Sequence, residues 1–196
     1  MTLTRKLAIL GCCLGLLGAA RPAPAWSAEF SARMLVKDGP KSMPGKVLVQ
    51  DGKMRQEFTD ATGQTITIVR PDKKVVWVII PWQRSYLEMP LRTKLPGQFI
   101  QIPPQATQKR LVGKATVNGY DTERYEVSVP GGAGLVRQTF WVAPKLGLPI
   151  KTECRERQFA VEYQDIKEGK VPDRLFELPV GYQKLPSHGG FADRVD

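Results

Sequence analysis

The segment Lys74–Ile80, Lys-Val-Val-Trp-Val-Ile-Ile, constrains the fold more than any other part of this chain. As a strand it points Val75, Trp77 and Ile79 to one side and Val76, Val78 and Ile80 to the other, so both of its faces are apolar. A strand in an antiparallel sheet ordinarily keeps one face wet. A doubly apolar strand among alternating ones means that the sheet is covered on both sides, or that it curves until its inner face lines an apolar hollow.

The N-terminus has the organisation of an export signal. Arg5 and Lys6 precede an uncharged run from Leu7 to Ala20, and Arg21-Pro22-Ala23-Pro24-Ala25 then breaks any helix and supplies small residues for cleavage in the Ala25 to Ala28 region. The run is shorter than the roughly 20 residues of a spanning helix. Cys12 and Cys13 lack the preceding residues of a lipoprotein signal, so lipid anchoring at either is not expected. Removing 25 of the 196 residues leaves 171, with Cys154 as the last cysteine and no internal disulfide. Residues 29–184 then read as a single domain held by core burial, with 185–196 as a flexible tail.

Arg5, Lys6 and Arg21 account for three of the net +10 charges, leaving +7 on the mature chain. In the cytosol such a balance would suggest nucleic acid. For an exported chain it reads instead as a bias toward anionic envelope surfaces, or simply as a soluble basic surface, because the lysines and arginines are dispersed. Nucleic acid is not expected as a partner.

Along the mature chain, Phe30, Ala32, Met34 and Val36 share one face of a first strand that ends at Asp38-Gly39-Pro40. Lys46–Gln50 and Met54–Phe58 flank the hairpin signal Asp51-Gly52, and strands at 64–70, 74–80 and 85–89 follow. Pro90–Gln108 holds four prolines and room for at most a two-turn helix. The alternation resumes at 109–116, turns at Asn118-Gly119, and runs through 125–129, 135–142, 149–155 and 157–166. A short helix is expected from Pro172-Asp173. About ten strands in sequential hairpins, with no helix-spaced run long enough for a βαβ unit, define a mainly β fold built on an antiparallel sheet.

Catalytic chemistry is sparse. His188 is the single histidine and sits in Ser187-His188-Gly189-Gly190, so neither a Ser-His-Asp site nor a metal site is expected, and no cofactor is implied. Cys154 alternates with apolar neighbours as a core residue would. Glu153 and Glu162 fall on polar faces beside Lys151, Arg155 and Arg157, as cross-strand ion pairs do. Trp77, Trp82, Phe140 and Trp141 either line a cavity or fill the core. On residue type alone Arg55, a lone strand arginine, has no assigned role.

The order of Gly45-Lys46-Val47-Leu48-Val49, Gly52-Lys53-Met54-Arg55, Val76–Pro81, Gly147-Leu148-Pro149-Ile150 and Val161–Ile166 leading into Pro172–Tyr182 resembles the periplasmic lipoprotein carrier (LolA-like) superfamily across most of 30–182. The resemblance implies a strongly curved antiparallel sheet, an open half-barrel, with short covering helices or loops over a hydrophobic cavity that receives acyl chains. It places Arg55 where the carrier keeps a strand arginine that hydrogen-bonds the lid. The chain departs from the carrier in its short, proline-broken Pro90–Gln108 segment, where lid helices would fall, and in lacking a clear helix before the first strand.

The expectation is a non-enzymatic, monomeric periplasmic protein that binds the acyl chains of lipid or lipoprotein, with Met34, Arg55, Trp77, Ile79, Phe140 and Trp141 as ligand-binding residues. Basic residues at the rim would meet an anionic membrane surface. The alternative is an envelope regulatory or scaffold module of the same fold, its interior filled by its own side chains and its surface engaged by a protein. Free apolar volume beside Trp77 discriminates between them.

Overall fold

A computed structural model describes residues 28–91, 102–103, 106–131 and 134–186. The export signal with Cys12 and Cys13, most of Pro90–Gln108, His188 and the end of the tail lie outside the described residues. Twelve strands form one sheet: β1 (Phe30–Asp38), β2 (Lys41–Gln50), β3 (Lys53–Asp60), β4 (Gly63–Arg70), β5 (Val75–Ile80), β6 (Ser85–Pro90), β7 (Thr107–Val117), β8 (Tyr120–Gly131), β9 (Gly134–Ala143), β10 (Leu148–Cys154), β11 (Phe159–Glu168) and β12 (Gln183–Lys184). Their spatial order is β12-β6-β5-β4-β3-β2-β1-β11-β10-β9-β8-β7. Two meanders, β1–β6 and β7–β11, are thus joined where β1 pairs with β11. All pairings are antiparallel except that of β12 with β6. The sheet is open and curved, as expected, and no second sheet packs on Lys74–Ile80 among the described residues.

Turn chemistry sets the register. Asp51-Gly52 and Asn118-Gly119 have positive φ at both positions, 48° and 75° in the first and 49° and 83° in the second, which the tight primed turn requires. Two prolines sit inside strands without breaking them. Pro44 pairs with Leu35 of β1, but β3 does not begin opposite β2 until Gly45, so its missing N–H faces no strand. Pro149 falls at the bulge where β10 shifts against β9. β2 consequently starts at Lys41 rather than Lys46. The expected short helix is a four-residue 3₁₀ turn, Asp173–Phe176, preceded by Pro172.

Alternation divides the side chains between two faces. On the inner face Phe30, Met34, Val36, Val47, Val49, Met54, Val69, Val76, Ile150, Val161 and Tyr163 form one buried cluster reaching from β5 to β10. On the outer face a second cluster gathers Leu48, Ile66, Ile68, Trp77 and Ile79 with Val171 and Phe176 of the C-terminal segment. β5 therefore contributes to a buried cluster on each face, Val76 on the inner and Trp77 and Ile79 on the outer, which is the physical reason for its doubly apolar sequence. Burying an aromatic or branched aliphatic side chain contributes about 1.5–3 kcal/mol, so neither cluster is dispensable.

Candidate functional site

The six candidate residues separate onto the two faces. Met34 and Phe140 are buried on the inner face, Met34 in the main cluster and Phe140 in a smaller one with Val127 and Val129. Register places the other four outside, because Leu48, Arg55, Ile68 and Trp77 form one cross-strand row and Trp141 pairs with Lys151 in another. Trp77 and Ile79 are buried beneath the C-terminal segment. Trp82 neither lines a cavity nor enters the core: it is 64% exposed.

Among the described residues the inner face is packed with the chain's own side chains. A gap between Ile150, Thr152, Val161 and Tyr163 is too small to admit water, and no larger apolar cavity opens there among the described residues. The Tyr163 hydroxyl is fully buried and has no hydrogen-bond partner among them, and burial pushes its pKa up.

Over β2–β6 the outer face carries a latch. The Arg55 guanidinium donates to the Leu175 carbonyl at 2.9 Å and to Glu57 Oε1 at 2.6 Å. Arg70, only 5% exposed, donates from Nε and Nη2 to the two oxygens of Asp72 at 2.9 and 2.6 Å. Its Nη1 serves the Phe176 carbonyl at 2.9 Å and also meets Glu177. Lys53 and Gln50 hold Asp173 at 2.7 and 2.9 Å, and Lys73 holds Glu177 at 2.8 Å. The bidentate hydrogen bonds raise the Arg70 pKa and push Asp72 down to about 2. Lys73 and then Arg70 lower Glu177. Arg55 thus contacts a covering segment, as the resemblance implied of its counterpart, but that segment is C-terminal and the contact is on the outer face.

Over β8–β10 the same outer face is bare. A groove of about 240 Å³ is lined by Arg124, Glu126, Arg137, Thr139, Trp141, Glu153, Arg155 and Glu156. Its carboxylates are engaged: Glu126 by Arg110 at 2.9 Å, Glu153 by Lys151 at 3.0 Å, and Glu156 by the Arg137 backbone N–H at 3.1 Å. Lys151 also lies 4.9 Å from the centre of the Trp141 ring. The guanidinium groups of Arg124, Arg137 and Arg155 make no hydrogen bond and no ion pair within 4.0 Å among the described residues. Sequence reading passed over this groove because its cations come from separate strands. Arg70 was missed too, though the Arg70-Pro71-Asp72 spacing was a signal. Among the described residues no cluster of His, Cys, Asp or Glu could hold a metal.

No protein-family model matches the chain, and no curated protein matches its sequence. Solved structures do match in fold. An uncharacterised conserved protein from Thermus thermophilus superposes with a TM-score of 0.58 at 12% identity, covering 81% of this chain and 90% of that one. PNGF-II matches with 0.53 at 13% identity, over 82% of this chain and 31% of that one. A chain of the Pseudomonas aeruginosa MucA/MucB complex matches with 0.51 at 16% identity, over 78% of this chain and 56% of that one. At such identities the likeness is one of fold. The protein is a mainly β, open half-barrel of a single antiparallel sheet. More particularly, the fold is the LolA-like open half-barrel that the motif order led one to expect.

Proposed function

We propose that this protein is a non-enzymatic binding module of the cell envelope that engages a protein partner through the outer face of β8–β10. The observation that carries the reading is the distribution of free space. Among the described residues the inner face is occupied by the chain's own side chains, whereas the outer groove is open to water. An acyl carrier needs apolar volume, and a surface module needs an exposed polar groove. The MucA/MucB structure supports the reading as a case of this fold studied in complex with another protein. Residues 1–25 would direct export to the periplasm, and 29–184 would form one monomeric domain.

The Tyr163 hydroxyl favours a second reading. An unpartnered buried donor in an apolar face is what the carbonyl of a lipid ester or amide would satisfy, with Met34 and Phe140 among the groups lining its chain. Opening the sheet would have to create the space.

The two readings separate in one pair of measurements. A photo-crosslinking residue replacing Leu135, exposed at the edge of the outer groove, should capture a discrete polypeptide in intact cells, and one replacing Lys41 should not. Native mass spectrometry of the purified protein should find no retained lipid. Retained lipid together with no polypeptide adduct at Leu135 would overturn the protein-partner reading.

A further inference from the structure

The groove on β8–β10 has a charge pattern specific enough to name the partner's chemistry. Register places Arg124 opposite Trp141, Glu126 opposite Thr139, and Ser128 opposite Arg137. Arg124 and Arg137 are thus separated by four residues along β8, about 13 Å at the usual ~3.3 Å rise. Thr139 also faces Glu153 of β10, and Arg155, two residues beyond Glu153, lines the end of the groove that Arg137 occupies. Free guanidinium groups therefore stand at both ends. The middle holds Glu126, Thr139 and Glu153, with each carboxylate already paired to Arg110 or Lys151.

We infer that this groove binds an extended acidic segment of a partner polypeptide, one bearing carboxylates four residues apart with neutral residues between them. The inference rests on the protein-partner reading above. An extended chain covers ~13 Å in four residues, so the carboxylate of the first residue meets Arg124 as that of the fifth meets Arg137 and Arg155. A guanidinium that makes no hydrogen bond and no close ion pair within the chain is available for bidentate pairing with a carboxylate, and only the longer-range attraction of Arg124 and Arg137 for Glu126 has to be shared. A carboxylate at the middle position would face Glu126 and Glu153 and be repelled. The Thr139 hydroxyl offers a neutral hydrogen bond there. The spacing, not the total charge, is what distinguishes this groove from a generally basic surface.

Fluorescence polarisation of two labelled peptides against the purified mature protein tests it. One is Glu-Ser-Gly-Ser-Glu, and the other has the same composition with the acids adjacent, Ser-Glu-Glu-Gly-Ser. The spaced peptide should bind at least about fivefold more tightly, and should weaken as salt rises. The double variant Arg137→Gln/Arg155→Gln should lose about tenfold of that affinity. Lys41→Ala/Lys46→Ala, which removes the same formal charge from β2, should lose less than about twofold. Equal affinity for both peptides, or equal loss in the two double variants, would reduce the groove to unspecific charge and overturn the inference. Binding of phosphatidylglycerol vesicles that the Arg137/Arg155 variant abolishes, with the spaced peptide ignored, would assign the groove to a membrane surface and overturn it equally. Failure of the peptide alongside a persisting polypeptide adduct at Leu135 would overturn the inference and leave the broader reading standing, whereas loss of both would remove the two together.

Discussion

The outer face of this sheet is treated in opposite ways at its two ends. Over β2–β5 it is an apolar floor of Leu48, Ile66, Ile68, Trp77 and Ile79, sealed by Val171 and Phe176 and fastened by Arg55, Arg70, Lys53 and Lys73. Over β8–β10 the same face is charged, with Trp141 flanked by Lys151 and three arginines left unpaired. The covering goes where exposure would be most unfavourable. A single-layer sheet has to hide one face by curling and can leave the other wet wherever its side chains are polar. The difference teaches that the C-terminal latch belongs to the structure, whereas the groove is the part of this face left open to water.

The sharpest way to break that comparison is to cut the latch. Phe176 is completely buried against the floor, so Phe176→Ala should cost about 3–5 kcal/mol of global stability by urea denaturation, the usual range for a large buried aromatic. An effect below about 0.5 kcal/mol would mean that the segment lifts off without loosening the sheet, and the floor would then be a second concealed binding surface. Arg70→Met removes the donor that ties Phe176 and Glu177 to β4 and leaves Asp72 without its guanidinium. The carboxylates are about half exposed and can rehydrate, which brings the cost below that of a fully buried pair, to about 2 kcal/mol.

Acid should loosen the latch. Asp72 falls from its ordinary 3.8 to about 2 in the folded protein, and Glu177 and Asp173 are also lowered. A lowered carboxylate pKa means that the unfolded chain binds protons more readily than the folded one. The stability these groups contribute is therefore fully present above their unfolded values and is lost as pH falls toward about 2. Urea midpoints followed from near neutrality down through that window should decline across it, and the Arg70→Met variant should decline less steeply. Parallel declines would show that the latch carboxylates are not what acid titrates.

Much of this architecture was legible in the sequence because strand alternation and turn chemistry are local. Asp51-Gly52 and Asn118-Gly119 mark their hairpins by residue type, and the doubly apolar Lys74–Ile80 announced burial on both faces. Extensions governed by pairing were not legible: β2 begins at Lys41, and β8 begins at Tyr120, in a stretch whose residues are mostly polar and whose Thr122 hydroxyl is buried against the Ala115 carbonyl. The lining of a hollow was not legible for a related reason. Apolar residues at Met34, Phe140 and Trp77 look alike in sequence whether they line a space or fill it, and the register puts Trp77 on the face opposite Met34. Arg70 hid because its partners Phe176 and Glu177 lie 106 and 107 residues away.

The inner face offers a smaller test, sensitive to whether it is a core or a ligand site. Tyr163→Phe removes a buried hydroxyl without a partner and leaves the ring beside Phe30, with centroids 6.3 Å apart. As pure core, the protein should be unchanged or gain up to about 1 kcal/mol, since an unsatisfied polar group is removed. A loss of that size would mean the hydroxyl is satisfied in solution, and a loss confined to lipid-loaded protein would move the balance toward the acyl-chain reading.

The smallest effect belongs to the bare groove, and its smallness is informative. Arg137 and Arg155 are exposed and unpaired, so replacing both with Gln should change stability by no more than about 0.5 kcal/mol, as expected for surface residues without partners. Relief of repulsion between Arg137 and Arg155 should be offset by the lost attraction of Arg137 for Glu126, and the small net change should vanish as screening shortens the reach of each charge. A chain that keeps guanidinium groups at both ends of a groove, with only the through-space attraction of Glu126 and no hydrogen bond or close ion pair to hold them, gains little stability from the arrangement. If thermal melts at low and high salt show the double variant to be clearly destabilised instead, those arginines are serving the fold, and the contrast between a structural latch and a binding groove fails at the end where it matters most.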